Sequence, residues 1–393
     1  MSWPVRIVLP CEKIRRINWK RWFYSLLAVS SLIIFISWLL HSLRSIESES
    51  LWGFFYPCLI IGFGVYSISL SLRVYFYGMC LAANEAYLLE STTLRKEWSE
   101  WANQEVVIAA SHLFLPADIH PEDLAAGSAC AIYNGQTMTL HKVGDVAYTE
   151  EQLFYELLSS IRATLQKLSL TCVFDVVFAY DDNYSSFPTF MECWISIGLP
   201  SHCIENHFFI KNSYESVFEK VINAKKNKLT IVISIDVQSL RSNAVVGTEY
   251  ASIIMMTQKN KLFDNSGYNS VLRPMTCQKK YAGEEFTLMK TYQSEVTKTS
   301  RVLFSGMNVN DIAKISDMFR SMDTLNDERW DFELQDLNMA IGQLGDEHFW
   351  LVQSLSLYFA DATSKSILSV SSIDDEYVFN VVKPFFKEEE NKS

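Results

Sequence analysis

The sequence has 393 residues, 49% of them hydrophobic, with 34 Lys and Arg against 45 Asp and Glu for a net charge of −11. That length exceeds one small domain. Residues 1–75 carry eight Lys/Arg and three Asp/Glu, which leaves 26 basic and 42 acidic residues in 76–393. So acidic a body repels phosphate and excludes nucleic acid as the main partner.

In chain order, a basic segment comes first, with Arg6, Lys13, Arg15, Arg16, Lys20 and Arg21. Residues 22–40, WFYSLLAVSSLIIFISWLL, follow without a charge. At about 1.5 Å per residue this run spans roughly 28 Å, the thickness of a hydrocarbon core. Residues 51–72, LWGFFYPCLIIGFGVYSISLSL, form a second uncharged run. Its Pro57 sits near the helix start, where proline is tolerated best. Gly62 and Gly64 read as a site of close helix packing, not as a phosphate loop. The connecting loop holds only Arg44 as a cation, and Arg73 closes the second run. The positive-inside bias therefore predicts a transmembrane hairpin with both termini and the main domain in the cytoplasm and the short loop outside. A cleaved signal peptide is not expected, because no small-residue cleavage site follows the first run.

Residues 76–103 repeat aromatic and aliphatic residues at helical spacing up to Trp98 and Trp101, which predicts a connecting helix. The body spans 104–385 in this reading, and 386–393, KEEENKS with its flank, is a disordered tail. Strands are predicted at 106–115, 172–180, 229–236 and 247–258, and helices at 150–168, 187–199 and 213–226. Unbroken runs such as LTIVISID imply strands covered on both faces. Strands alternating with helices imply an α/β layered fold.

The chemistry-bearing residues are scattered. The eight cysteines, Cys11, Cys58, Cys80, Cys130, Cys172, Cys193, Cys203 and Cys277, contain no CxxC and read as reduced thiols. His202, Cys203 and His207, with Cys193 nearby, fit no common zinc spacing. Asp181, Asp182 and Asp236 fall at carboxyl ends of predicted strands, where turns commonly place acids. Asp145, Glu150 and Glu151 read as helix N-terminal charges. His112, His120 and His141 have no triad spacing, and no nucleophile elbow, zincin helix or nucleotide loop occurs. No catalytic residue, cofactor or metal is therefore expected.

The order of elements over 104–258 and 335–383 resembles the thiolase-like superfamily, of the β-ketoacyl-synthase kind. The residues that carry it are the VVI strand, FFIKNSYESVFEKVINAKKNKLTIVISIDVQ, GTEYASIIMMTQ, and the late LNMAIGQLGDEHFWLVQSLSLYFADATSKSILSVSSIDDEYVFNVVK. The resemblance implies a thiolase-like domain of two similar halves after the transmembrane hairpin. It also implies a cysteine nucleophile two residues before a helix-starting serine. With Ser213 as that serine, the nucleophile position falls on Lys211. The late Gly-His of the family stands as Gly342-Gln343, and no histidine lies between His207 and His348, which is placed inside the following helix. A covalent acyl mechanism needs a thiolate and oriented imidazoles in one cleft. The expectation is a pseudoenzyme: a membrane-tethered, non-catalytic module for protein binding. Its partners would be the lipid bilayer and a secretion effector or apparatus component, with a homodimer among the expected assemblies. The hairpin, the Trp-rich helix and VVIAASHLFLP together resemble inner-membrane proteins encoded beside type VI secretion effectors, which implies an accessory, adaptor or immunity role. The alternative is a membrane-associated enzyme of acyl or lipid metabolism.

Overall fold

A computed structural model of the chain describes residues 3–5, 8–9, 13–42, 48–127, 132–142, 146–181, 186–211, 214–224, 227–240, 247–259, 267–323, 330–345 and 347–385. The predicted tail at 386–393 lies outside the described residues. The chain divides into two units, Ile7–Glu97 and the remainder, Met1–Arg6 with Trp98–Ser393.

The first unit is a helical hairpin. Helix α1 (Trp19–Ser42) and helix α2 (Ser48–Ala102) are both long and apolar enough to cross a membrane. Phe23, Leu32, Phe35, Ile60 and Phe63 are exposed on them, as lipid-facing side chains would be. The helices meet closely at Gly62, where an added Cβ would stand 2.7 Å from Ile33 Cδ1. Nothing lies within 4 Å of a Cβ at Gly64, so only one of the two glycines serves the packing. Tyr66 donates its hydroxyl to the Trp22 carbonyl at 2.8 Å. The second apolar run and the connecting segment are one continuous helix of 55 residues.

The second unit contains the strands. Its first half comprises β1 (Glu105–Phe114), α3 (Pro121–Ala126), the short ribbon β2 (His141–Lys142) and β3 (Val146–Ala147), α4 (Glu150–Ser160), α5 (Arg162–Leu168), β4 (Val173–Phe178), α6 (Ser186–Ser196), β5 (Ile204–Phe209), α7 (Tyr214–Ile222), β6 (Lys228–Asp236) and β7 (Tyr250–Gln258). The second half comprises β8 (Ser270–Leu272), β9 (Met275–Gln278), α8 (Ala282–Tyr292), β10 (Arg301–Ser305), α9 (Val309–Asp323), β11 (Glu333–Asp336), α10 (Leu337–Ile341), α11 (Phe349–Thr363), β12 (Ile367–Ile373) and β13 (Glu376–Lys383). The single amphipathic helix predicted over 150–168 is two helices, broken at Ile161, whose φ of −107° and ψ of 10° leave the helical region. A capping box between Thr149 and Gln152 starts the first of them, satisfying amides that the helix cannot.

The two halves repeat one topology. The first runs β5-β4-β6-β7-β1 and the second β11-β10-β12-β13-β8, with β9 also on β13. In each, the strand second from the edge pairs parallel with both neighbours, and the next two pairings are antiparallel. Strands β8 and β9 together take the role of β1, interrupted at Pro274, which has no amide to donate. The halves join where β1 pairs antiparallel with β8.

Alternation along the strands sorts the core into layers. Val232, Ile254, Met256, Ile367 and Val382 pack with α7 and α11 into one cluster fed by both halves. Ile231, Ile233, Ile253 and Met255 face the other way, onto Phe154, Phe190 and Trp194 of α4 and α6. Leu368, Val370 and Phe379 face Phe286 of α8 and Phe319 of α9. The order is helices, sheet, central helices, sheet, helices. Each fully buried side chain of this kind stabilises by about 1.5–3 kcal/mol, and the two-sided burial explains the unbroken Val/Ile runs.

Candidate functional site

The carboxyl ends of β4, β5 and β10 converge near the start of α11. Strand β5 hands over to α7 through Ile210, whose amide bonds the Phe178 carbonyl of β4 at 2.9 Å. Lys211 follows, and its Nζ donates to Asp181 Oδ2 at 2.5 Å. It also lies 3.8 Å from Glu347 Oε1. Asp181 is largely exposed, so that pair contributes little beyond about 1 kcal/mol. Glu347 differs, with a side chain 5% exposed. A carboxylate so buried is tolerable only with cations and donors around it.

The residue after Glu347 is the sole histidine of the second half. His348 occupies the position just before α11, with no capping hydrogen bond from its side chain, rather than lying inside the helix as predicted. Its Nδ1 stands 2.7 Å from the Gly345 carbonyl, which can only accept, so Nδ1 carries the proton. The ring rests on Gly306, just past β10. That glycine has φ +64°, and a Cβ there would meet His348 Cε1 at 2.7 Å. Asn338 fixes the same turn, accepting from the Gly306 amide at 3.1 Å and donating to the Met307 carbonyl at 2.9 Å. Behind Glu347, Tyr250 donates to its backbone carbonyl at 2.7 Å and bonds Ser234 at 2.7 Å. The late glycine turn is bound on both sides: the Gln343 amide reaches the Gln136 carbonyl, and the Gln343 carbonyl accepts from the Thr248 amide at 2.6 Å.

No protein-family model matches the sequence, and no curated protein matches it either. Solved structures do match. A variant of OleA from Xanthomonas campestris with cerulenin superposes at a TM-score of 0.50 and 11% identity, covering 73% of this chain and 98% of that one. The oxazolomycin ketosynthase domain OzmH KS8 from Streptomyces albus JA3453 does so at a TM-score of 0.50 and 7% identity, covering 72% and 96%. The body is a thiolase-like fold. Lys211, which the resemblance would put at the nucleophile position, is ion-paired, and Gln343, which it would put at the Gly-His position, is exposed.

The cysteines described in the body lie elsewhere. Burial pushes the Cys193 thiol up to about 11, aided by Glu151 and Glu192. Burial likewise pushes Cys277 to about 12 and raises Cys203. Such thiols stay protonated at neutral pH and are poor nucleophiles. The HC-x3-H cluster does not converge on one point. Cys203 Sγ donates to the Ser169 carbonyl at 3.5 Å, while His207 stacks on Phe187 with ring centroids 3.7 Å apart. Among the described residues no group of three or more His, Cys, Asp or Glu is arranged to hold a metal ion. Glu150 is more than a helix-terminal charge, since it accepts from Ser186 Oγ at 2.5 Å and from Tyr180 at 3.5 Å. Asp236 ends β6 and is buried. Asp182, Asp145 and Ser213 lie outside the described residues. His112 lies against Phe114, and burial lowers its pKa; His120 precedes α3 and His141 begins β2. Sequence reasoning missed Glu347, Gly306 and Tyr250, whose only local signal was the Glu-His dipeptide before an apolar helix.

Proposed function

We propose that the chain is a membrane-tethered, non-catalytic protein-binding module on the cytoplasmic face of a bacterial inner membrane. One observation supports the reading: at the turn between β5 and α7, Lys211, which the resemblance puts at the nucleophile position, is engaged by Asp181 and Glu347. An ammonium at the positive end of a helix supplies no thiolate. The raised pKa values of Cys193, Cys203 and Cys277 support the same reading. The partner we propose is an effector or apparatus component of a type VI secretion system, with the chain as its accessory, adaptor or immunity protein. That finer reading rests on the resemblance of the hairpin, the Trp-rich helix and VVIAASHLFLP.

The alternative, a membrane-associated enzyme of acyl or lipid metabolism, is favoured by the likeness of the fold to a ketosynthase domain. The two separate cleanly. The full chain in nanodiscs is incubated with acyl thioesters and its peptides are weighed by mass spectrometry. No acyl adduct is expected. An adduct on Cys203 or any other cysteine, lost with function on its substitution, overturns the proposal. Lys211→Ala and Cys203→Ala are expected to leave the biological phenotype intact, and deletion of 22–72 to abolish it.

A further inference from the structure

The cations of the hairpin gather at one of its ends. Lys13, Arg15, Arg16, Lys20 and Arg21 stand around the start of α1, and all five are exposed. Arg73 of α2 is the only charged residue between Glu49 and Glu85, and it too is exposed. Packing brings it to the same end as the other five. The two helices run antiparallel, with Gly62 against Val29 and Ile33, and with the rings of Tyr66 and Trp22 edge-on, centroids 5.8 Å apart. Lys20 and Arg21 come just before Trp22. Arg73 follows Tyr66 by two helical turns, about 10 Å farther along in the same direction. A headgroup layer is about 5–8 Å deep on each side of the hydrocarbon, and the long stems of Lys and Arg span the difference.

The chain does not neutralise this end itself. Among the described residues none of these six cations is ion-paired with a carboxylate. No acid occurs between Lys13 and Arg44, whereas at the opposite end Arg44 is followed by Glu47 and Glu49. A second observation fixes the depth of the cations. Trp19 and Tyr24, beside them, are 61% and 66% exposed, and such aromatic residues settle at the level of the headgroups.

We infer that this basic collar binds the phosphodiester headgroups of anionic phospholipids and gathers them around the hairpin from a mixed leaflet. The phosphates of a leaflet already lie at the depth of the six cations. An acidic protein segment would have to displace them to reach the same side chains. A zwitterionic headgroup carries the same phosphate beside its own ammonium, so the collar discriminates by net charge. The acidic body, with 26 basic and 42 acidic residues in 76–393, supplies no such attraction. Lipid selectivity is therefore a property of the hairpin. The inference rests on the reading of the hairpin as membrane-spanning and names the lipid that it takes.

The test uses the full chain in phosphatidylcholine vesicles with a trace of spin-labelled phosphatidylglycerol or spin-labelled phosphatidylcholine. Electron paramagnetic resonance reads the share of each label slowed at the protein surface. The phosphatidylglycerol label is expected to be favoured at least about threefold. That preference should shrink in 1 M salt, where the Debye length is about 3 Å. The variant Lys13→Gln, Arg15→Gln, Arg16→Gln, Lys20→Gln, Arg21→Gln and Arg73→Gln is expected to bring the ratio to about one. Its slowed phosphatidylcholine should persist, which shows that it is still inserted. If the variant does not insert, the salt dependence of the parent decides alone. Equal slowing of the two labels in the parent, a preference that salt leaves unchanged, or one that survives in the inserted variant overturns the inference. No slowed lipid of either kind overturns the membrane reading, and the inference with it.

Discussion

Glu105 begins β1, opposite Leu272 of β8, where the two halves of the sheet meet. Burial alone would raise its pKa. Hydrogen bonds from Lys259 and Ser270, with the charge of Lys383 4.0 Å away, bring it below the usual carboxylate value. A depressed folded pKa gives stability that is present above the unfolded pKa and lost as pH falls through the folded one. Glu105→Gln is therefore expected to cost about 1–2 kcal/mol at pH 7, discounted because Lys259 is half exposed. The gap between the variant and the parent should close below about pH 4. Melting midpoints of both across that range are the check, and identical midpoints at pH 7 would remove the clamp from the account. Lys211 shows how much of the site was legible at this scale. A lysine at a helix start is unfavourable unless it points to solvent or meets an acid. The acids that meet it are Asp181 and Glu347, which other strands and helices deliver and which no local pattern reveals.

Elements were legible where burial on both faces wrote a long apolar run. The runs at β4, β6 and β7 stand within a few residues of the expected places. The segment 270–336 went unread because its strands are short. Strand β8 has three residues, and β11, ELQD, has four with almost no apolar character; parallel pairing with β10 makes it a strand, and pairing partners are not local. The late glycine turn was visible in sequence, but the reason for it is tertiary. Gly342 holds φ +97°, and a Cβ there would stand 2.4 Å from the Gln136 carbonyl oxygen. Both strain and collision oppose a side chain, so Gly342→Ala is expected to cost upward of about 2 kcal/mol. Gly64→Ala in α2, with nothing within 4 Å, serves as the control and should be neutral or mildly stabilising. Denaturant midpoints for the pair test the contrast; equal shifts would mean that the turn relaxes freely.

At the scale of the whole molecule, the start of the chain constrains the hairpin. Trp3 and Val5 are buried with Met275, Phe286 and Phe304 in the core of the body. The chain thus leaves the body before α1 and returns to it through the end of α2. The residues between Val5 and Trp19 include Lys13, Arg15 and Arg16, and a charged segment shorter than about 17 residues does not span the hydrocarbon. If α1 and α2 cross a bilayer, they must therefore enter and leave on the same side, whichever side that is. The orientation we propose, from the basic residues before α1, puts that side in the cytoplasm. A reporter fused after Ser393 should then be active only in its cytoplasmic form. Cys80, exposed on α2 just past Arg73, should react with a membrane-impermeant maleimide only in opened cells. Trp3→Ala should cost the body about 3–5 kcal/mol by emptying its pocket, yet leave the orientation unchanged, because the basic residues set that. A reporter active on the periplasmic side, or labelling of Cys80 in intact cells, would reverse the topology and place the acidic body outside.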